Sequence, residues 1–183
     1  MKVIAFTGMP CSGKTEAVKV AKQMGLPVIR MGDLVWEEVK DRDLELTNEN
    51  VGDIANKMRD KHGLEIWAKR TLEKIRQMEK TDVLVIDGIR NIEEIEFFEE
   101  ELEEKFILIA IEASDEIRHK RAMKRGRKDD AKNLEKIKDR DKREQGWGIE
   151  EVITAADTVV YNEEGIKQFR DEIREIIEGL KDS

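Results

Sequence analysis

The chain has 183 residues, 39% apolar and 42% charged, enough for one hydrophobic core beneath a densely charged surface. A net charge of −8 argues against a general nucleic-acid binder, and a single cysteine, Cys11, excludes a disulfide framework or a thiolate metal cluster. His62 and His119 stand far apart without companion cysteines, so no zinc site is expected, and no apolar run suits a signal peptide or a membrane span, so the expectation is a cytoplasmic protein.

In chain order, residues 2–7 form a short apolar run ending at Gly8, which predicts a buried strand. Residues 14–24 have helical composition and stop at Gly25, a natural C-cap. A second strand is expected over 27–30. The stretch from 33 to about 78 has a helical pattern, with breaks near Asn48 and Gly63. Residues 82–86 (DVLVI) predict a third strand, and Ile92, Ile95, Phe98 and Leu102 mark a helical stripe. Residues 106–111 (FILIAI) predict a fourth strand, and Ser114 is placed to cap the helix after it. From 124 to 148 almost nothing is apolar, which predicts a flap or a solvated helical arm. A fifth strand over 157–161 precedes a helix with Ile166, Phe169, Ile173, Ile176, Ile177 and Leu180 on one face. Apolar strands alternating with helices predict an α/β fold, a parallel sheet covered on both faces. No boundary divides the chain, so residues 1–183 are expected to form a single domain.

Gly8-Met9-Pro10-Cys11-Ser12-Gly13-Lys14-Thr15 matches G-x-x-x-x-G-K-[ST] between a strand and a helix, the context the motif needs. The two glycines let successive N–H groups turn toward one anion. Lys14 reaches the outer phosphates of ATP or GTP, and the Thr15 hydroxyl suits Mg²⁺. Cys11 reads as a small filler within the loop.

Ligands of parallel α/β sheets bind at the carboxyl ends of the strands. Asp87, closing the third strand, is the candidate for the water shell of Mg²⁺, with an N-cap as the plainer alternative. Asp33, after the second strand, is a candidate general base or acceptor ligand, or another cap. Arg90 suits an acceptor phosphate, or a salt bridge to Glu93 or Glu94. Arg118, Arg121 and Arg125 fall on one helical face, with Lys124, Arg127 and Lys128 beside them. Such a cluster fits a closing lid that stabilises phosphoryl-transfer charge, or a solvated charged helix. Asn162 ends the fifth strand, where a loop can touch the base of a nucleotide or cap a helix.

These features together resemble the nucleotide-kinase branch of P-loop proteins across essentially the whole chain. Residues 28–34 (VIRMGDL) resemble the acceptor-side segment of adenylate kinases and the matching segment of dephospho-CoA kinases. Asp87-Gly88-Ile89-Arg90 is similar to the Asp-Gly-x-Pro-Arg turn of adenylate kinases, one residue shorter and without the proline. Arg127-Lys128-Asp129-Asp130 looks like their Arg-x-Asp-Asp lid element, with the later arginine, Arg140, displaced by two positions. Residues 156–162 (ADTVVYN) resemble the last strand of dephospho-CoA kinases. The run from Arg140-Asp141-Lys142-Arg143-Glu144 to Gly148 looks typical of an archaeal group of dephospho-CoA-kinase-like proteins.

The resemblance implies a three-layer α/β/α domain with a five-stranded parallel sheet of order 2-3-1-4-5. It also implies a helical acceptor insert over about 33–78 and a lid over about 124–148. Lys14, Thr15 and Asp87 would then serve ATP and Mg²⁺, Asp33 and Arg90 would face the acceptor, and Arg121, Arg125 and Arg127 would close from the lid. The expected activity is an ATP-dependent phosphotransferase acting on a nucleotide or nucleotide-like small molecule. A nucleotide switch or regulatory ATPase acting on a protein partner is the competing expectation, and oligomeric state stays open.

Overall fold

A computed structural model describes residues 1–102, 106–125 and 134–182. The apolar runs become strands β1 (Lys2–Thr7), β2 (Val28–Arg30), β3 (Val83–Asp87), β4 (Phe106–Glu112) and β5 (Thr158–Tyr161). They pair in parallel in the order β2-β3-β1-β4-β5, the expected sheet. The central strand is the first one, so β1 is buried from Val3 to Thr7 and its apolar run needs no alternation.

Period-two geometry splits the strand residues between two cores. Val3, Ala5, Leu84, Ile86 and Leu108 face one side. It is covered by α2 (Met31–Asp41), α3 (Asn48–His62), α4 (Ile66–Arg76), α5 (Ile92–Glu101) and α8 (Ile149–Thr154). Ile4, Phe6, Val85, Ile109 and Ile111 face the other side, under α1 (Lys14–Gln23) and α9 (Ile166–Asp182). The remaining helices, α6 (Asp115–Arg125) and α7 (Leu134–Gly146), follow β4.

The register lines the strand ends up in one row. Phe6 and Arg30 both pair with Asp87, and Glu112 pairs with Tyr161. The breaks read near Asn48 and Gly63 separate α2, α3 and α4. The Thr47 hydroxyl accepts from the Asn50 N–H at 3.1 Å to start α3, and Gly63, at φ 98°, ends it. α8 has no counterpart in the sequence reading. The polar stretch after position 133 is also less solvated than its composition implies, because α7 buries Ile137, Asp141 and Glu144.

Candidate functional site

Residues 8–15, the phosphate-binding loop expected from the motif, run from the end of β1 into the first turn of α1. Gly8 and Gly13 hold φ values of 135° and 133°. A Cβ at Gly8 would lie 2.2 Å from the Ile111 carbonyl oxygen, and one at Gly13 would lie 2.2 Å from the Asn162 amide nitrogen. Neither position accepts a side chain. Lys14 lies along the loop and donates to the Met9 carbonyl at 3.0 Å and to that of Gly8. Burial, then the Arg90 charge, lowers its pKa to about 7, which leaves the ammonium under-solvated and ready for an anion.

At the end of β3 the Asp87 carboxylate is nearly buried, and its Oδ1 has no hydrogen-bond partner among the described residues. Its Oδ2 lies 3.5 Å from Arg30 Nε. Thr15 and Asp87 both line the cavity in front of the loop. A buried, unsatisfied carboxylate oxygen and a hydroxyl-bearing residue lining the same cavity fit a hard cation with oxygen ligands such as Mg²⁺. The N-cap alternative for Asp87 fails, because the α5 cap is Asn91, whose side chain accepts from the Glu94 N–H. Asp33 sits in the first turn of α2, where Arg30 is the N-cap residue. It is 45% exposed, pairs with Arg30 at 3.3 Å, and reaches the cavity only through that arginine.

The Arg90 guanidinium pairs with neither Glu93 nor Glu94 among the described residues. Its Nε pairs with Glu144 Oε2 at 2.7 Å, and only its backbone N–H goes to Glu94. Glu144 comes from α7, so that helix is tied to the turn after β3. Arg140 is within 4.0 Å of the same carboxylate.

The α6 arginines divide. Arg118 is 3% exposed and fully engaged. It makes a two-pronged pair with Asp141 at 3.0 and 2.9 Å, and donates to the Pro10 carbonyl at 3.0 Å. It clamps α6, α7 and the phosphate loop together, so its membership of a solvent-facing lid cluster is corrected. Arg121 donates to the Ser12 carbonyl at 3.1 Å and the Asn162 carbonyl at 2.8 Å. Asn162 in turn donates its amide to Ser12 at 2.8 Å, so it braces the loop from behind. The Arg125 side chain and Arg127, with the Asp129-Asp130 pair, lie outside the described residues.

A cavity of about 520 Å³ runs from the phosphate loop to residues of α2, α3, α4 and α7. Here the structure brings in residues the sequence reading did not single out for the site. Arg59, on α3, pairs with the fully buried Glu94 at 3.2 Å. Burial pushes the Glu94 carboxyl up, against the pull of Arg59. The Trp147 ring, which donates to Asn56 at 2.6 Å, carries the Arg59 guanidinium 4.4 Å from its centroid and that of Arg143 at 5.8 Å. Arg143 also donates to Asn48 at 2.7 Å. The one sequence signal was Arg59 itself, a charge on the apolar face of α3 beside Ala55 and Met58.

A family described as an AAA domain matches residues 7–138. A UPF0200 protein from Methanosarcina barkeri is 43% identical over 177 residues, covering 97% of this chain and 95% of that protein. The chain belongs to the UPF0200 family. A UPF0200/UPF0201 protein from Archaeoglobus fulgidus is 46% identical over 97% of this chain, which spans 55% of that longer relative. Among solved structures, a gluconokinase from Sinorhizobium meliloti superposes with a TM-score of 0.62 at 15% identity, covering 99% of this chain and 94% of the other. A shikimate kinase from Aquifex aeolicus gives 0.54 at 18% identity, covering 97% and 96%. At these identities the likeness establishes the fold alone, the five-stranded parallel sheet between helices. Among the described residues of this UPF0200 protein, no helix is long and apolar enough to cross a membrane.

Proposed function

We propose that this chain is an ATP- and Mg²⁺-dependent kinase whose acceptor is a nucleotide or nucleotide-like small molecule, of the nucleoside-monophosphate or dephospho-CoA kind. The observation that carries the reading is a continuous cavity of about 520 Å³, which extends from the phosphate loop to arginine and tryptophan side chains on and beside α2, α3, α4 and α7. A hydrolase needs room only for water beside the terminal phosphate. A transferase needs a second chamber that excludes water from the transfer.

In this reading residues 8–15 cradle the ATP phosphates, with Met9, Pro10, Cys11 and Ser12 supplying backbone between the glycines. Lys14 gains full charge against them. Thr15 and Asp87 would hold Mg²⁺, which when bound neutralises phosphate charge. Asn162 and Arg121 keep the loop in shape through Ser12. Asp33 and Arg90 face the acceptor, the first acting through Arg30 and the second once an anionic group competes with Glu144. Arg125 and Arg127 complete the lid. A gluconokinase and a shikimate kinase share the fold, which supports a phosphotransferase acting on a small molecule.

The test is a panel of nucleoside monophosphates, dephospho-CoA and small hydroxy acids, each with Mg–ATP and the purified chain. One acceptor should be phosphorylated far faster than ATP is hydrolysed without it, and Lys14→Ala should abolish that transfer while the thermal melt stays cooperative. Brisk ATPase with every acceptor inert would hand the site to the nucleotide-switch reading.

A further inference from the structure

Among the described residues, four N–H donors on the helical side of the cavity are buried without an acceptor: Arg59 Nε and Nη1, Trp67 Nε1 and Arg143 Nε. Buried polar groups are almost always satisfied, so a cluster of orphan donors on residues that line one cavity needs an explanation. The Arg59 side chain is 5% exposed, and Trp67 is 1% exposed. Both line the cavity with Arg143. Every orphan is a donor of the kind that binds oxyanions, and two of the three residues carry positive charge.

The surroundings are built to hold these groups in place. Glu94 takes only one nitrogen of Arg59 and leaves the other two edges of the guanidinium unused. Asn48 anchors Arg143, and Trp147 lies against both guanidinium groups. Gly52 leaves space on α3 for Arg143, since a Cβ there would meet its Nη1 at 2.4 Å. The three residues sit on α3, α4 and α7, on the helical insert side and separate from the phosphate loop.

We infer that Arg59, Trp67 and Arg143 form an anion subsite for the acceptor, which therefore carries a compact oxyanion, a phosphate or a carboxylate, apart from the group that receives the phosphoryl. The inference rests on the kinase reading for the word acceptor, but the subsite itself is tested by binding alone. The chain's three tryptophans, Trp36, Trp67 and Trp147, all line this cavity, so intrinsic emission reports its occupancy.

The experiment titrates the protein with inorganic phosphate and, separately, with acetate, at constant ionic strength and with a non-hydrolysable ATP analogue and Mg²⁺ saturating the phosphate loop. A saturable change in emission is expected with at least one anion. Phosphate alone assigns a phosphate-bearing acceptor, and acetate alone a carboxylate-bearing one. The double variant Arg59→Met/Glu94→Gln, which avoids stranding a buried carboxylate, should bind at least tenfold more weakly. Trp67→Phe, which keeps a ring and removes only the donor, should weaken binding by a smaller factor with the melt preserved. No saturable change with either anion, or wild-type affinity in both variants, overturns the subsite. Anion binding as expected but no transfer to any acceptor would sink the kinase reading and leave the subsite standing.

Discussion

Glu144 is a buried carboxylate at the meeting point of four cations. Burial pushes its carboxyl up, but Arg90, then Arg140, Lys14 and Arg143 outweigh it and hold the group below its ordinary value of 4.5. The folded state therefore keeps the proton off more readily than the unfolded chain does. Its stabilising contribution is complete above pH 4.5 and disappears as pH falls through the lower folded value. Glu144→Gln should accordingly cost about 3 kcal/mol at neutral pH, the scale for removing one partner of a buried ion pair. Thermal melts of the two proteins should differ clearly at pH 7 and converge in acid. A gap that persists undiminished at low pH would mean the residue acts through packing and not through charge.

At the scale of elements, the contact between α3 and α7 depends on Gly52. Replacing a mid-helix glycine with alanine ordinarily stabilises by about 0.5–1 kcal/mol. Here the new Cβ would meet the Arg143 guanidinium, a flexible end that can swing away but only by giving up its bond to Asn48 and its place beside Trp147. A hydrogen bond to a charged group is worth about 1.5–3 kcal/mol, so the loss outweighs the gain. Gly52→Ala should lower stability by roughly 1 kcal/mol and leave α7 more open to proteolysis, as timed digestion would record. A higher melting temperature would show that the contact contributes little.

The same contrast between local and tertiary causes explains what could be read in the sequence. The phosphate loop, the five strands and the breaks at Thr47–Asn48 and Gly63 were legible because each depends on local chemistry: a required turn, an apolar run, a cap. α8 was not legible, since six residues are too few to show a helical period. The partial burial of α7 was hidden by its composition. Two of its buried positions are Asp141 and Glu144, acceptable inside only because Arg118 and Arg90 arrive from other elements. Arg118 read as one more lid cation for the same reason, its partner being 23 residues away in sequence. Arg59 stands out along the chain only as a charge on the apolar face of α3, and Trp67 does not stand out at all, because nothing in the sequence shows that their donors go unmatched.

For the whole molecule, bulk charge and local charge point in opposite directions. The chain carries −8 overall, yet cationic side chains outnumber carboxylates in the cavity lining two to one. A concave site with low-dielectric walls focuses its own field, so an anionic acceptor should respond to the cavity at close range and to the net charge only at a distance. Charges beyond a Debye length, about 10 Å at 0.1 M salt, are screened first. If net charge governed the encounter, salt would speed capture by masking repulsion. If the cavity governs, salt slows it. With ATP saturating, kcat/KM for the anionic acceptor should fall roughly tenfold as salt is raised from low to moderate concentration, at the modest end of steering effects. Arg59→Met/Glu94→Gln removes one charge of each sign, so its salt slope should match wild type while its KM rises, which separates steering from the specific grip on the oxyanion. A rate that climbs with salt in both proteins would place control of capture with the acidic surface.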